Sequence, residues 1–404
     1  MPEDNTLGAR LRRLRRERGL SQEELAERAG ISAEMVRKTE QGARYPRLPS
    51  LRSLADALDV PLSELADRRP RLDGRAQGAS VLALRNALLA PSAIGGLGIA
   101  EESAAMTPQE LQAAVDDAGA TYWEGDLARL TAMLPGLISA GRATRDECGP
   151  AAAGPLAQAY DLMASLLVHL GKEDLAAVAA ERAIAAAASG DDERLHATMQ
   201  GTYAWVLLHQ GRLEEAERIA VAAAERIEPS FTAPAEHIAA WGSLLMTAVG
   251  PGAAAGSDSV DDYIRLAAAG AERLGHRVRI WQTSFAPASV HMQATYAYAV
   301  RREPGKALES ARKIQPGDLP GTISRGRHLL DVAQAHLDAG HAKAATSVLT
   351  EARGMAPAWF RHQGVARLLV SDLLEQQKRL TRTLRELAAA TDAEGYARYY
   401  RQPA

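Results

Sequence analysis

The sequence predicts an all-α protein in which a small basic head of five short helices precedes a long solenoid of helix pairs. Three observations carry this expectation. Alanine supplies about a fifth of the 404 residues while aromatics are 4%, a composition that suits closely packed helices and argues against a β-sandwich or barrel. Apolar residues recur at helical spacing from Leu7 onward. Units of helix, glycine and helix, with small residues at matching positions, then recur along the body.

A chain of 404 residues is too long for one core and fits two or three domains. Residues 1–71 hold 15 Lys and Arg against 12 Asp and Glu, a net +3; the whole chain nets −3, so the remainder carries −6. A basic head on an acidic body implies an anion-binding module joined to a part that does not attract anions. Cys148 is the single cysteine, which excludes an intrachain disulfide and a cysteine-based zinc site. The start, MPEDNT, has no apolar stretch behind a basic run and reads as no secretory signal. The longest candidate span, Ile238 to Val249, stops at Gly250-Pro251-Gly252, short of the ~20 residues that crossing needs. The expectation is a cytoplasmic protein with no membrane partner.

In the head, Leu7, Leu11 and Leu14 form the buried stripe of a first helix. Arg10, Arg12, Arg13, Arg16 and Arg18 read as a solvated charged face. Arg15 follows Leu11 by four and points inward, so it needs a buried acid. Ser21 opens a second helix, and Glu24 completes a capping box in SQEE. Gly30 stops that helix, and Ser32 caps a third running to Glu40 with Gly42 beyond. Val36 faces inward, so Glu40 does too. Arg15 and Glu40 are predicted to pair. Two short helices joined by a tight glycine-containing turn are a helix-turn-helix unit.

These residues carry a family resemblance. The segment LRRLRRERGLSQEELAERAGISAEMVRKTEQGARYPRLPSLRSLADALDVPLSEL resembles the xenobiotic-response-element family, the phage-repressor and Cro type of helix-turn-helix. The shared elements are Leu20-Ser21-Gln22, Leu25-Ala26, Ala29-Gly30-Ile31-Ser32, Val36, Glu40, Gly42, Pro46 and the closing helices around Leu54, Leu58 and Leu65. The resemblance implies double-stranded DNA as partner, with the third helix in the major groove. Ser32, Ala33, Glu34, Arg37 and Lys38 are then placed at or near base edges: Lys38 toward guanine, Glu34 toward cytosine N4, Ala33 toward a thymine methyl. Gln22 and Arg44 are placed on the DNA backbone. Glu34 has a second reading, as an intramolecular partner for Lys38.

Domain boundaries are expected at 1–70 for the head, 71–106 for a linker with a short helix, 107–391 for the repeats and 392–404 for a tail. Residues 68–80 read as linker and Val81 to Ala90 as the short helix. Gly96-Leu97-Gly98 lacks the third glycine and the preceding strand of a dinucleotide turn. Three units then align through Ala164, Gly171 and Ala176; Ala204, Gly211 and Ala216; and Ala333, Gly340 and Ala345. They resemble a diverged tetratricopeptide repeat. Ala176 to Ala216 spans 40 residues against ~34 expected, so helices or turns must be longer. Seven pairs are expected over 107–391, the fourth carrying an insert at Gly250 to Ser259.

Aligned units place Gln158, Asp161, Ser165 and His169 in one structural column with Thr202, Trp205, His209, Gln293, Tyr296, Arg327, Asp331 and Gln334. Polar and aromatic residues on the concave wall of a solenoid suit a ligand or an extended peptide. Residues 280–293 are the least repeat-like stretch, read as a loop closing the groove or an irregular connection. His336 and His341 straddle a turn and are poorly placed for a metal. No GxxxxGK, GxSxG or HExxH occurs, so no enzyme, cofactor or metal is expected. Head and repeats together resemble peptide-responsive regulators of Gram-positive bacteria and the related actinobacterial set. That resemblance implies a homodimer on an inverted-repeat operator, answering to a small-molecule or peptide effector. A DNA-tethered adaptor for a protein partner and a ligand-free dimerisation platform are the rival readings.

Overall fold

A computed structural model describes residues 7–42, 46, 48–60, 65, 75–91, 99, 103–315, 317–319, 321–361, 363–376, 380–391 and 393. The fold is all-α, as expected: a helix-turn-helix head followed by tetratricopeptide-like helix pairs, with a single small hairpin among the described residues. The chain divides into two compact units, Met1–Pro70 with Arg325–Ala404, and Arg71–Ser324.

The head contains α1 (Leu7–Glu17), α2 (Gln22–Arg28), α3 (Ala33–Glu40) and α4 (Leu48–Ala57). The fifth helix expected around Leu65 lies outside the described residues, apart from Leu65 itself, which is buried. Leu7, Leu11, Leu14, Leu25, Val36, Leu51, Leu54 and Leu58 make the head core, and Leu368 from the C-terminal part of the same unit joins it. The Ser21–Glu24 capping box forms, and Ser32 accepts from the Met35 amide to cap α3. At Gly8 the chain allows α1 to lie directly on the end of α3: a Cβ there would sit 2.5 Å from the Thr39 carbonyl oxygen. Arg10 departs from the solvated face expected of it. It lies three after Leu7 and four before Leu14, so it turns inward, and its Nε donates to the Leu65 carbonyl at 3.1 Å.

The second unit opens with α5 (Arg75–Leu88), which begins inside the stretch expected to be linker. Leu84 and Leu88 bury against the body core, and Arg142 donates to the Ala87 carbonyl at 2.8 Å. Then come the pairs α6 (Pro108–Glu124) and α7 (Leu127–Cys148), α8 (Ala153–His169) and α9 (Glu173–Ala188), α10 (Glu193–Gln210) and α11 (Leu213–Arg226), and α12 (Ala235–Ala255) and α13 (Val260–Leu274). Strands β1 (Val278–Ile280) and β2 (Thr283–Phe285) intervene before α14 (Pro287–Val300) and α15 (Pro304–Arg312). Helix α16 (Gly321–Asp338) runs into the first unit, where α17 (Ala342–Met355), α18 (Pro357–Arg361), α19 (Gly364–Gln376) and α20 (Arg382–Thr391) complete the chain. Counted along the described residues, these make the seven pairs expected.

Small residues let the paired helices close on each other. Ala176, Ala180 and Ala183 on α9 and Ala216, Ala220 and Ala223 on α11 are no more than 1% exposed. The 40-residue spacing comes from helices of 16 to 18 residues rather than from loops. The insert expected at Gly250 to Ser259 is instead mostly helix, because α12 continues through Pro251 to Ala255. At 21 residues α12 is long and apolar enough, by length and composition, to cross a membrane, but 72% of its most apolar window is buried within the protein. That is the burial of a core helix.

The irregular stretch from residue 280 is an antiparallel hairpin pairing Val278 with Phe285 and Ile280 with Thr283. Its turn places Trp281 at a φ of 49°, a left-handed conformation that the sequence does not announce with glycine or asparagine. Phe285 is buried over Gly242 of α12, where a Cβ would sit 2.1 Å from the ring. Gly242→Ala is therefore expected to destabilise the protein by ~1–3 kcal/mol through overpacking. In a Phe285→Ala background the same change should be neutral or stabilising by up to ~1 kcal/mol, since alanine is the better helix former. Denaturant melts of the double-mutant cycle measure the difference.

Candidate DNA interface and ligand cavity

Glu40 is the hinge of the head's geometry. Its side chain is 1% exposed. It receives Arg15 Nε at 2.5 Å and Nη2 at 3.0 Å from α1, and the Gln22 amide at 2.7 Å from α2. Arg15 also donates to the Leu20 carbonyl at 2.7 Å. The Glu40 hydrogen bond raises the Arg15 pKa further above its ordinary value against the opposing effect of burial. Three helices meet at one carboxylate, which fixes the angle between α2 and α3. On the solvent side of α3, Glu34, Arg37 and Lys38 are exposed, while Ala33 is half-buried against the head core. Glu34 pairs with Arg37 and, at 3.2 Å, with Lys38. Those bonds hold its carboxyl below the usual range, the Lys38 hydrogen bond foremost.

In the Arg71–Ser324 unit, the first helices of successive pairs and the hairpin line a pocket of about 170 Å³ that is partly open to solvent. Helix α6 contributes Tyr122, and α8 contributes Asp161 and Ser165. Thr198, Thr202 and Trp205 come from α10, and Ser243 and Thr247 from α12. Gln282 and Thr283 come from the hairpin turn. The hairpin tip reaches the first pair: Gln282 Nε2 lies 2.8 Å from where a Gly119 Cβ would be, and Arg279 stacks over Trp123 at 5.0 Å. The Thr202 hydroxyl donates to Asp161 Oδ1 at 2.5 Å. Burial nevertheless pushes the Asp161 carboxyl up to about 6, the Thr202 bond only partly opposing it. Trp205 meets His169 and His209 edge-on, at 5.9 and 4.8 Å between ring centroids.

A helix-turn-helix domain model matches residues 6–67. An uncharacterized HTH-type transcriptional regulator of Sinorhizobium fredii, y4dJ, is 44% identical over 59 residues, covering 15% of this chain and 77% of the relative. The chain belongs to the HTH-type transcriptional regulators. Among solved structures, the regulator is loosely similar to Bacillus thuringiensis PlcR in complex with the peptide PapR7 and DNA. The identity is 15%, the TM-score 0.30, and the match covers 67% of this chain and 96% of that one. It is also loosely similar to the apo form of the competence regulator ComR from Streptococcus vestibularis, at 12% identity and a TM-score of 0.26, covering 97% and 99%.

Of the residues expected on the concave wall, the regulator brings Asp161, Ser165, Thr202 and Trp205 to the cavity. Gln158 is buried elsewhere, exchanging amide hydrogen bonds with Gln112 at 3.2 and 3.3 Å. His209 packs on Trp205 outside the lining, and Gln293 and Tyr296 sit against Gly250. Arg327, Asp331 and Gln334 lie on α16 in the other unit; burial pushes Asp331 up to about 7, opposed by Arg327. Tyr122, Thr198, Ser243 and Thr247 are additions to the expected set, while Gln282 and Thr283 belong to the 280–293 stretch, for which a groove-closing loop is one of the two sequence readings. Ser243 and Thr247 carried a readable signal, as a polar i, i+4 pair on the otherwise apolar α12. Among the DNA candidates, Gln22 is engaged with Glu40 and Ser32 is the cap of α3, while Arg44 lies outside the described residues.

Two predictions follow from this geometry. Glu40→Ala should destabilise the head by ~3–5 kcal/mol, because Arg15 is left buried without its partner. Replacing both residues by apolar ones should recover much of the loss; a cost of only ~0–1 kcal/mol for the single change would mean the pair behaves as a surface bridge. The second concerns Asp161, whose folded pKa of about 6 lies above its unfolded value near 3.8. The folded state binds the proton more tightly, so this group favours folding at low pH, and that contribution is lost as pH rises toward and past 6. Asp161→Asn should therefore gain on wild type in melting temperature from pH 4 to pH 7, the gap flattening above the folded pKa. A constant gap across that range contradicts the assignment.

Proposed function

We propose that this regulator binds an inverted-repeat operator as a cytoplasmic homodimer, with α3 in the major groove, and that its helical body senses a small molecule. The observation that supports the first part is the exposed Arg37–Lys38 pair on the helix that Glu40 orients. Side chains near the start of such a helix reach base edges, while flanking basic residues hold the phosphates. Glu34 holds both cations in the free protein, so DNA must exchange those bonds for bonds to bases or phosphates. That exchange disfavours sequences offering Arg37 and Lys38 no better acceptor.

The cavity supports the second part. It draws side chains from four helices and a hairpin, so a ligand there would touch several repeats together. An extended peptide needs an open groove, whereas the hairpin tip spans from β1 and β2 to α6. A compact effector fits, and the hairpin tip limits how an extended chain could lie along this wall. Such a ligand acts on DNA affinity only through its differential affinity for two conformations of the protein, a coupling typically of ~1–3 kcal/mol.

Selection of bound sequences from random duplexes by the full chain tests the operator. An inverted repeat with two chains per duplex is the expected product. Lys38→Ala should then cost ~1–3 kcal/mol and relax the preference at one base pair. A loss equal for all sequences would assign Lys38 to the phosphates. Trp205→Ala should remove any change in operator affinity produced by the small-molecule fraction of a host extract, while effector-free binding stays within a few-fold of wild type. A normal response in that variant would place sensing outside the cavity.

A further inference from the structure

Resting on the reading of this cavity as the sensor site, we infer that its ligand is a compact organic cation, a protonated amine, with Asp161 as counter-ion. Asp161 is 2% exposed yet lines the cavity. Its Oδ1 is taken by the Thr202 hydroxyl, and among the described residues no other group bonds to it. No lysine, arginine or histidine is among the lining residues. A carboxylate so placed lacks the pairing that buried charges ordinarily have.

A second unpartnered acceptor lies nearby, in a different state. The Oε1 of Gln282, on the hairpin turn over the cavity, is sealed from solvent and has no hydrogen-bond partner. The second oxygen of Asp161 is not sealed in this way: it keeps contact with the pocket space and is open to a donor placed there. What the free Asp161 oxygen needs is a donor. An ammonium offers up to three and accepts none, and its charge matches Asp161. A carboxylate or phosphate ligand would meet like charge there instead. The aromatic walls, Trp205 and Tyr122, suit an organic cation through the ring quadrupole better than a metal ion, which one carboxylate would hold poorly.

Size narrows the class. The volume of about 170 Å³ is below the ~300–1,000 Å³ of drug-sized pockets and close to the ~150 Å³ that accommodates a benzene-sized guest. A group of roughly that bulk, carrying an amine, fills it, and the open side leaves room for a second polar end.

Calorimetric titration of the full chain at pH 8 tests the inference with ethanolamine, putrescine and benzylamine. Each is run against its uncharged counterpart: ethylene glycol, 1,4-butanediol and benzyl alcohol. At least one amine should bind about tenfold or more tightly than its counterpart, a difference of ~1.4 kcal/mol. Asp161→Asn should erase that preference while keeping the wild-type circular dichroism spectrum and a cooperative melt. If no amine outbinds its counterpart, or Asp161→Asn binds amine as wild type does, the cation assignment is overturned. Operator affinity measured alongside separates the two readings. An amine that binds through Asp161 without moving operator affinity sinks the sensor reading alone. Operator affinity that answers to host extract in a protein blind to every amine sinks the cation alone.

Discussion

Helices in this chain pair closely because the positions where they meet carry alanine or glycine. With a Cβ or less at Ala164, Ala176, Ala204 and Ala216, all fully buried, backbones approach to a distance that larger side chains would forbid. Little apolar area is buried per residue, so stability must come from many such contacts summed along the stack. The large side chains are then free for other places. Trp205, Tyr122, His169 and Trp281 are half-buried or lie at the edge of the first core, where they shape a surface instead of filling an interior. Slots left by glycine have the same consequence. Gly242 accepts the Phe285 ring and so anchors the hairpin, and Gly119 receives its tip.

The head solves a different problem. Its core is small, nine leucines of its own and their neighbours, and cannot by apolar area alone choose one angle between α2 and α3. A buried carboxylate can, because each unmet lone pair is costly and each partner comes from a fixed direction. Glu40 takes Arg15 from α1 and Gln22 from α2, so the three helices satisfy it in one arrangement. The same helix turns Glu34 outward, where it holds Arg37 and Lys38. One acid sets the frame and another occupies the exposed cations of α3.

Much of this was legible because helical periodicity fixes direction. Arg15 and Glu40 were paired from the leucine and valine positions that precede each by four, and the structure pairs them. Asp161, Thr202 and Trp205 were placed on one wall from the alignment of repeats, and they share one cavity. Periodicity gives a face but not a depth along it. Gln158 lies one turn before Asp161 and His209 one turn after Trp205, on the same stripes, yet neither lines the pocket: Gln158 pairs with Gln112, and His209 packs behind Trp205. The hairpin was illegible for a conformational reason: its strands are three residues long and its turn forces Trp281 into left-handed backbone. Helix α12 was cut short because Gly250-Pro251-Gly252 reads as a breaker. Tertiary packing of Gly250 and Gly252 against Leu208 and Glu217 holds the helix together through it.

A buried carboxylate that stays uncompensated is a poor choice for stability alone. Asparagine at position 161 could keep the hydrogen bond to Thr202 without the cost of ionisation, and the chain carries aspartate. Near neutral pH that carboxyl, with a pKa of about 6, is mostly ionised, so folding bears a penalty that any partner cation would relieve. Relief of that kind is differential affinity: it is available only in a conformation that keeps Asp161 buried. A ligand supplying it favours the closed arrangement of the four contributing helices over any looser one, and by no more than the penalty itself. The coupling available to such a device is therefore bounded by the cost of one buried charge, which is the ~1–3 kcal/mol scale on which allosteric couplings operate.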